Sequence, residues 1–242
     1  MRLTERTIFI TGGASGIGLG LATRFRDRGN RVIVAGRRES ALAEASGLGL
    51  ETYRADVADE AERLRMADEL PRIYPDLDVL VNNAGIQLYP PVLPESQDWA
   101  EHRRELATNL EAPMHLTHLF AAHLAAKNGT LINVTSGLAF VPIYKMPTYC
   151  LTKAALHSFT LSVREQLKGK VEVVEIAPPA VDTDLGGPGL HTFGEPLDAF
   201  CDHCFVKLEA GETEFGYNMS ERARTADRAG LDAMFAHMAA TR

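Results

Sequence analysis

Cysteine is scarce: three residues in 242, Cys150, Cys201 and Cys204. They build no disulfide framework, which agrees with a reducing compartment. Long apolar runs are missing as well. The longest candidate, Leu119–Ala126, is interrupted by His123 and falls short of the roughly 18 residues a spanning helix needs. Met1–Arg6 carries two arginines and a glutamate before the short run Thr7–Thr11. That run is too short for the apolar centre of an export signal, so the cytoplasm is the expected compartment. There is no excess of basic residues: Lys and Arg total 25 against 32 Asp and Glu, a net charge of -7. This argues against the basic face of a general nucleic-acid binder and disfavours attraction to anionic membranes. What is present is an ordinary globular mixture, 45% hydrophobic and 24% charged. It excludes a disordered tail or a collagenous repeat, and the length suits one fairly large domain with a full core.

Strand and helix patterns alternate along the chain. Thr7–Thr11, Arg31–Gly36, Val79–Asn82, Thr130–Thr135 and Val171–Ile176 are short β-rich runs. Gly16–Gly29, Glu39–Ser46, Asp59–Ile73, Asp98–Ala126 and Pro147–Lys168 have helical spacing. Such alternation predicts an α/β fold: a doubly wound parallel sheet with helices on both faces, in three layers, as a single domain over 1–242. Residues 184–216 form a long excursion after the last of these strands, the usual place for a substrate lid. It opens on Asp184-Leu-Gly-Gly-Pro-Gly-Leu190 and continues into a helix with Leu197, Phe200, Cys204, Phe205 and Leu208 on one face. The chain ends in an amphipathic helix that aligns Leu231, Met234, Phe235 and Met238.

Thr11-Gly-Gly-Ala-Ser-Gly-Ile-Gly18 joins the first strand to the first helix. Glycines there permit a tight turn and close approach of the backbone to a pyrophosphate, and the helix start offers free N–H groups. This Rossmann-type arrangement points to a dinucleotide cofactor. At the end of the second strand, where an acidic residue would read a ribose 2′-hydroxyl, stands Gly36-Arg37-Arg38. Arginines pair with a 2′-phosphate, which favours NADP(H) over NAD(H). Glu39 keeps NAD(H) as the alternative.

Tyr149 and Lys153 are one helical turn apart, behind Pro147 at the helix start. A nearby ammonium lowers the pKa of a phenol, normally about 10, and fits it to exchange a proton with a carbonyl or alcohol. Ser136 ends a strand 13 residues earlier, on the opposite face from Thr135. Asn109 lies within a predicted helix, where asparagine is a poor choice. Pro113, four residues on, has no N–H for the Asn109 carbonyl, which leaves room for a bound water.

These motifs resemble the short-chain dehydrogenase/reductase family, single-domain type, from Arg6 to about Tyr217. Thr11–Gly18, Asp56-Val57, Asn82-Asn-Ala-Gly85 and the tetrad Asn109, Ser136, Tyr149 and Lys153 match in order. Within that family the chain is similar to the DltE-like branch, through Ser136–Pro142 and Ala177–Gly194. The resemblance implies cofactor contacts at Thr11, Gly12, Ser15, Gly16, Ile17 and Gly18, and at Asp56, Val57, Asn83, Ala84 and Gly85. It implies others at Pro178, Val181 and Thr183, besides Tyr149 and Lys153. It further implies hydride transfer in which Ser136 orients the carbonyl, Tyr149 is the acid or base, Lys153 binds the nicotinamide ribose, and Asn109 supports a water. Pro178-Pro179 replaces the family's usual Pro-Gly and stiffens the loop beside the nicotinamide.

Substrate contacts are expected from Ser136, Leu138, Tyr149, His191 and Phe193, with Phe140 and Gln87 as further candidates. Cys201 and Cys204 read as buried small hydrophobes, with no second pair to complete a metal set, and no metal is expected. Cys150, beside Tyr149, reads as packing. His115 and His118 read as surface or interface residues. The partner is then a small carbonyl or alcohol compound, and the long apolar-striped helices and the family together predict a homodimer or homotetramer. Two alternatives are a non-catalytic dinucleotide-binding regulatory or scaffold protein, and a sugar-nucleotide epimerase or dehydratase.

Overall fold

A computed structural model describes residues 2–88 and 99–240. Seven strands form one parallel sheet: β1 (Thr7–Thr11), β2 (Arg31–Gly36), β3 (Glu51–Arg54), β4 (Leu77–Asn82), β5 (Thr130–Val134), β6 (Glu172–Ala177) and β7 (Glu214–Gly216). Their order is β3-β2-β1-β4-β5-β6-β7. The chain winds outward from β1 to β3, then returns to place β4 on the other side of β1. Crevices open at such a reversal, at the carboxyl ends of the strands, because the two connections diverge to opposite faces.

Alternation along the strands builds two apolar layers. Ile8, Ile10, Val32 and Val34 face one side with Leu21 and Phe25 of α1 (Gly16–Asp27) and Phe200 and Phe205 of α7 (Leu197–Glu209). Phe9, Ile33 and Leu80 face the other side. There they meet Met66 and Leu70 of α3 (Glu60–Ile73), and Leu116 and Phe120 of α5 (Ala112–Ala126). The remaining helices are α2 (Glu39–Gly47), α4 (Trp99–Leu106), α6 (Pro147–Gln166), α8 (Met219–Thr225) and α9 (Arg228–Ala240).

Three expectations change. Asp98 of the predicted helix Asp98–Ala126 lies outside the described residues. The rest is two helices joined by one π turn over Ala107–Glu111. Pro113 breaks the ladder there because it has no N–H to give. The excursion expected over 184–216 divides at Leu197. Before it, a bridge between Val181 and Glu195 closes a small flap. After it, α7 is a core helix, with Phe200, Cys201, Cys204, Phe205 and Leu208 buried. A Cβ added at Gly20 of α1 would lie 2.6 Å from the Cys201 sulfur, so the two helices pack closely at that glycine. Burial pushes the Cys201 thiol up to about 12, and Cys204 also rises; both are neutral packing residues. Third, two strands are additional, β3 and β7, short elements at the sheet edges.

Asn30 fastens the end of α1 to the segment before β1. Its Nδ2 donates to the carbonyls of Leu3 and Phe25, both at 2.7 Å, and its Oδ1 accepts the Arg6 N–H at 3.0 Å. Asn30→Ala leaves these buried backbone groups without that partner and should cost about 2–3 kcal/mol. A lower urea midpoint at unchanged slope is the expected readout; an unaltered midpoint would show that water replaces the side chain.

Candidate active site

The glycine loop is shaped by contacts that leave no room for side chains. Gly12 has φ +63°, and a Cβ on it would lie 2.8 Å from the Ala84 Cα. A Cβ on Gly18 would lie 2.4 Å from both the Gly12 carbonyl oxygen and the Asn83 Nδ2. The loop therefore runs flush against Asn83-Ala84. Helix α1 starts at Gly16; the Ser15 side chain makes no capping bond, and no acidic residue occupies the first turn. The N–H groups and positive dipole end of α1 thus stay available to an anion. These features fit a dinucleotide pyrophosphate.

Gly12, Ser15, Gly16, Ile17 and Gly18 line a crevice of about 1770 Å³, together with Asn83, Ala84 and Gly85. Arg37, Arg38, Asp56 and Val57 line the end of the crevice beyond β2 and β3. Arg37 bonds Asp56 at 3.3 Å, and Arg104 approaches the same carboxylate at 3.7 Å. Glu39 pairs instead with Arg54 at 3.3 Å. Thr11, expected as a cofactor contact, stands behind the wall. Its hydroxyl accepts the N–H groups of Asn83 and Ala84, both at 3.1 Å, and donates to the Val81 carbonyl. The strand end turns it inward, where it braces the residues that do face the crevice.

Ser136 follows β5, and its hydroxyl accepts the Leu138 N–H at 3.1 Å. Tyr149 and Lys153 lie on α6, both buried, with Nζ 5.6 Å from the centre of the phenol ring. Nζ donates to the Val134 carbonyl at 2.9 Å. Burial lowers the Lys153 pKa to about 8, against the opposing pull of Glu105 and Glu175. Asn109 sits on the π turn and also stands behind the wall: its Oδ1 accepts the Ile86 N–H at 2.8 Å and its Nδ2 donates to the Ile86 carbonyl at 2.7 Å. A Cβ on Gly85 would lie 3.5 Å from Asn109 Oδ1 and 3.8 Å from Lys153 Nζ, so this glycine separates the two.

Pro178, Val181 and Thr183 line the crevice next to the flap, as do Leu138, His191, Phe193 and Gln87. Thr183 covers the first turn of α1: a Cβ on Gly16 would touch its Cγ2 at 3.4 Å. His191 is buried, whereas Phe193 is 78% exposed. Phe140, a candidate substrate contact, packs edge-on against His157 at 4.7 Å and is not in the crevice wall. Met219 of α8 and Met234 and Met238 of α9 complete the wall. The stripe on α9 marked that helix as amphipathic but did not show what it covers.

Sequence reasoning missed several charged residues around the tetrad. Glu175 is fully buried on β6, where it accepts from Thr135 Oγ1 at 2.7 Å and pairs with His157 at 2.9 Å. A carboxylate inside the apolar run Val173–Ile176 was the available signal. Arg63, almost fully buried, donates to the Val57 carbonyl at 2.8 Å and to His115 Nδ1 at 3.0 Å, and also pairs with Glu111. It thereby ties the segment at Val57 to the helix that follows Asn109. His115 is correspondingly half-buried and bonded, not a free surface residue; His118 is exposed. Glu105, one turn before Asn109, is fully buried too. Cys150 packs with its sulfur 3.3 Å from the Ile143 N–H, and burial pushes its thiol up.

A family model described as short chain dehydrogenase matches residues 6–190. The uncharacterized oxidoreductase DltE of Bacillus subtilis strain 168 is 41% identical over 98% of this chain and 98% of its own. Serine 3-dehydrogenase of Agrobacterium fabrum is 35% identical over 74% of this chain and 73% of its own. A short-chain dehydrogenase from Burkholderia cenocepacia, solved with NADP, superimposes with a TM-score of 0.84 at 26% identity, covering 97% of this chain and 99% of that one. Among the described residues no helix is long and apolar enough to cross a membrane. With the fold, the crevice and a relative alike from end to end all in agreement, the chain belongs to the short-chain dehydrogenase/reductase family of oxidoreductases.

Proposed function

We propose that the protein transfers a hydride between NADP(H) and a carbonyl or alcohol substrate, with reduction favoured and Tyr149 as acid or base. The observation that carries this reading is the buried Lys153 ammonium one turn from the Tyr149 phenol, in a wall shared with Ser136 and the glycine loop. When bound, the nicotinamide supplies or accepts the hydride. Ser136 donates to the substrate oxygen and fixes its position. Tyr149 gives that oxygen its phenolic proton as the carbonyl carbon gains the hydride, and takes the proton back in oxidation. Lys153 stabilises the phenolate by its charge and holds the nicotinamide ribose. Asn109 keeps Gly85 and Ile86 in place and supports a water behind the lysine.

Arg37 and Arg38 stand at the adenosine end with Glu39 turned to Arg54, which supports NADP(H) over NAD(H); the Burkholderia relative was solved with NADP. Asp56 and Val57 flank the adenine, and Thr183, Val181 and Pro178 the nicotinamide half. Leu138, His191 and Phe193 face the substrate in a mostly apolar wall. The chain acts as one domain, with the flap before Leu197 as the moving part of the 184–216 excursion. We take the assembly to be a homodimer or homotetramer, because Met114, Leu151 and Leu161 leave apolar side chains exposed on α5 and α6.

Tyr149→Phe should lower NADPH oxidation across a panel of aldehydes, ketones and diketones by about a hundredfold or more. The NADPH Kd should stay within about twofold, since only a hydroxyl is lost. Retained turnover would remove Tyr149 from the chemistry. A parent protein that binds NADPH but turns over nothing on the panel would favour the non-catalytic alternative. Arg37→Ala should weaken NADPH binding about tenfold, some 1.4 kcal/mol, with little change for NADH; equal effects on both would withdraw the 2′-phosphate contact. Light scattering at micromolar protein should give a multiple of the 26.4 kDa chain mass, and a single-chain mass would refute the assembly.

A further inference from the structure

Three segments beyond Ser136 contribute to the crevice wall: the flap over 182–195, α8 and α9. Helix α8 packs on the turn that follows Ser136, so closely that a Cβ on Gly137 would lie 2.7 Å from the Ser220 Cβ. The Ser220 hydroxyl donates to the Ala177 carbonyl, at the end of β6, at 2.6 Å. Asn218, just before α8, donates to Glu195 at 2.9 Å and so ties the flap to the same helix. After α8 the chain turns at Asp227, whose carboxylate accepts the Gly230 N–H at 2.8 Å and whose carbonyl accepts the Leu231 N–H at 3.0 Å. That turn starts α9, so all three segments are anchored from the strand ends beside Ser136.

What they give the wall is mostly carbon and sulfur. Four of the seven methionines line the crevice: Met146, Met219, Met234 and Met238. Met146 is buried, and its sulfur accepts from the Gln87 amide at 2.6 Å. The other three are not buried: Met219 is 58% exposed, and α9 buries none of its side chains fully. Met234 and Met238 are one turn apart in the wall, whereas Leu231 and Phe235 of the same stripe are outside it. Phe193 of the flap lines the crevice while largely exposed. Apolar side chains left in water beside a reactive site gain free energy when an apolar ligand covers them. Methionine is unbranched, with three rotatable bonds, and follows the shape of what it covers. The crevice, about 1770 Å³, exceeds the roughly 300–1,000 Å³ of a single-ligand site, as a site for a dinucleotide and a sizeable substrate should. The charges agree. Among the side chains these segments give the wall, the acids Asp182, Asp184 and Glu195 outnumber Arg222, a balance that repels an anionic substrate.

We propose that the substrate is an uncharged carbonyl or alcohol compound with a long hydrocarbon body, which lies against Met219, Met234, Met238 and Phe193 while its oxygen sits at Ser136 and Tyr149. This rests on the hydride-transfer reading above and names the class of compound that reaction takes. The methionines make the site selective for apolar size and tolerant of shape, so straight and aromatic bodies of equal carbon number are turned over alike.

The test follows NADPH oxidation by the full chain with butanal, hexanal and nonanal, with 3-phenylpropanal, and with glyoxylate as a small anionic aldehyde. Each turnover joins the NADPH hydride and one proton to the aldehyde, leaving NADP+ and the primary alcohol. From butanal to nonanal, kcat/KM should rise about threefold per methylene. The aromatic 3-phenylpropanal, of the same carbon number as nonanal, should fall within about threefold of it, and glyoxylate about tenfold or more below butanal. Met234→Gln/Met238→Gln keeps the side-chain length but puts amides in the wall, and should lower the nonanal-to-butanal ratio about tenfold. Phe235→Gln, on the same helix but outside the wall, should leave that ratio within about twofold. Thermal midpoint and NADPH Kd, measured alongside, separate a damaged fold from a changed preference. If the double variant does not fold, Met219→Gln decides, with an expected fall of about threefold in the ratio. A flat or falling series, a preference for glyoxylate, or a ratio unmoved by the methionine variants overturns the proposal and leaves hydride transfer standing. So does an equal fall in Phe235→Gln. A parent that binds NADPH yet turns over none of these aldehydes favours the non-catalytic alternative and overturns the proposal with it.

Discussion

Lys153 holds an ammonium where solvent does not reach it, with the Val134 carbonyl at 2.9 Å as its hydrogen-bond acceptor. Taking such a charge out of water is costly, and the cost appears as a pKa drawn down to about 8. The remaining site geometry follows from tolerating that cost. Val134, the last residue of β5, presents the carbonyl that meets the ammonium, and α6 carries Tyr149 one turn before it. A solvated lysine would need none of this, but water would screen its field and the neighbouring phenol would feel little of it.

The glycine-loop end of the crevice is shaped by the exclusion of side-chain volume. Gly12 and Gly18 bring the first loop flush against Asn83 and Ala84; Thr11 binds the two segments together from behind, and Asn83 does so from within the wall. The two ends of the crevice share the same supports. Asn82 links to Asn133 and Thr117, Asn109 and Glu105 hold the chain directly after Gly85, and Arg63 joins the Val57 carbonyl to α5 through His115. Buried polar groups of this kind are costly unless fully bonded, so each one restricts the positions its neighbours can take.

Much of the site was legible because its signals are local. The glycine spacing, Tyr149 four residues before Lys153, Ser136 at a strand end and Asn109 near Pro113 each follow from the dihedral or hydrogen-bonding needs of a few consecutive residues. β1 and β2 were bounded to the residue, since their apolar runs are buried on both faces. β3 and β7 were not seen. Edge strands alternate polar and half-buried residues, as in Glu-Thr-Tyr-Arg, or are only three residues long, and such segments carry little apolar signal. The helix after the flap looked like part of the lid because an apolar face reads the same whether it covers a ligand or a core.

The sequence by itself determined the α/β winding, the glycine turn and the placing of Tyr149 and Lys153 on one helical face, because each depends on neighbours within one turn or one strand. Only the tertiary structure decided which residues line the crevice and which brace it from behind. It moved Thr11 and Asn109 behind the wall, Phe140 onto His157, and α7 into the core. It also brought Glu105, Glu175 and Arg63 to the centre, residues whose roles arise from long-range contacts that no local pattern encodes. A buried charge is defined by what surrounds it, and those surroundings exist only once the sheet order has brought distant segments together.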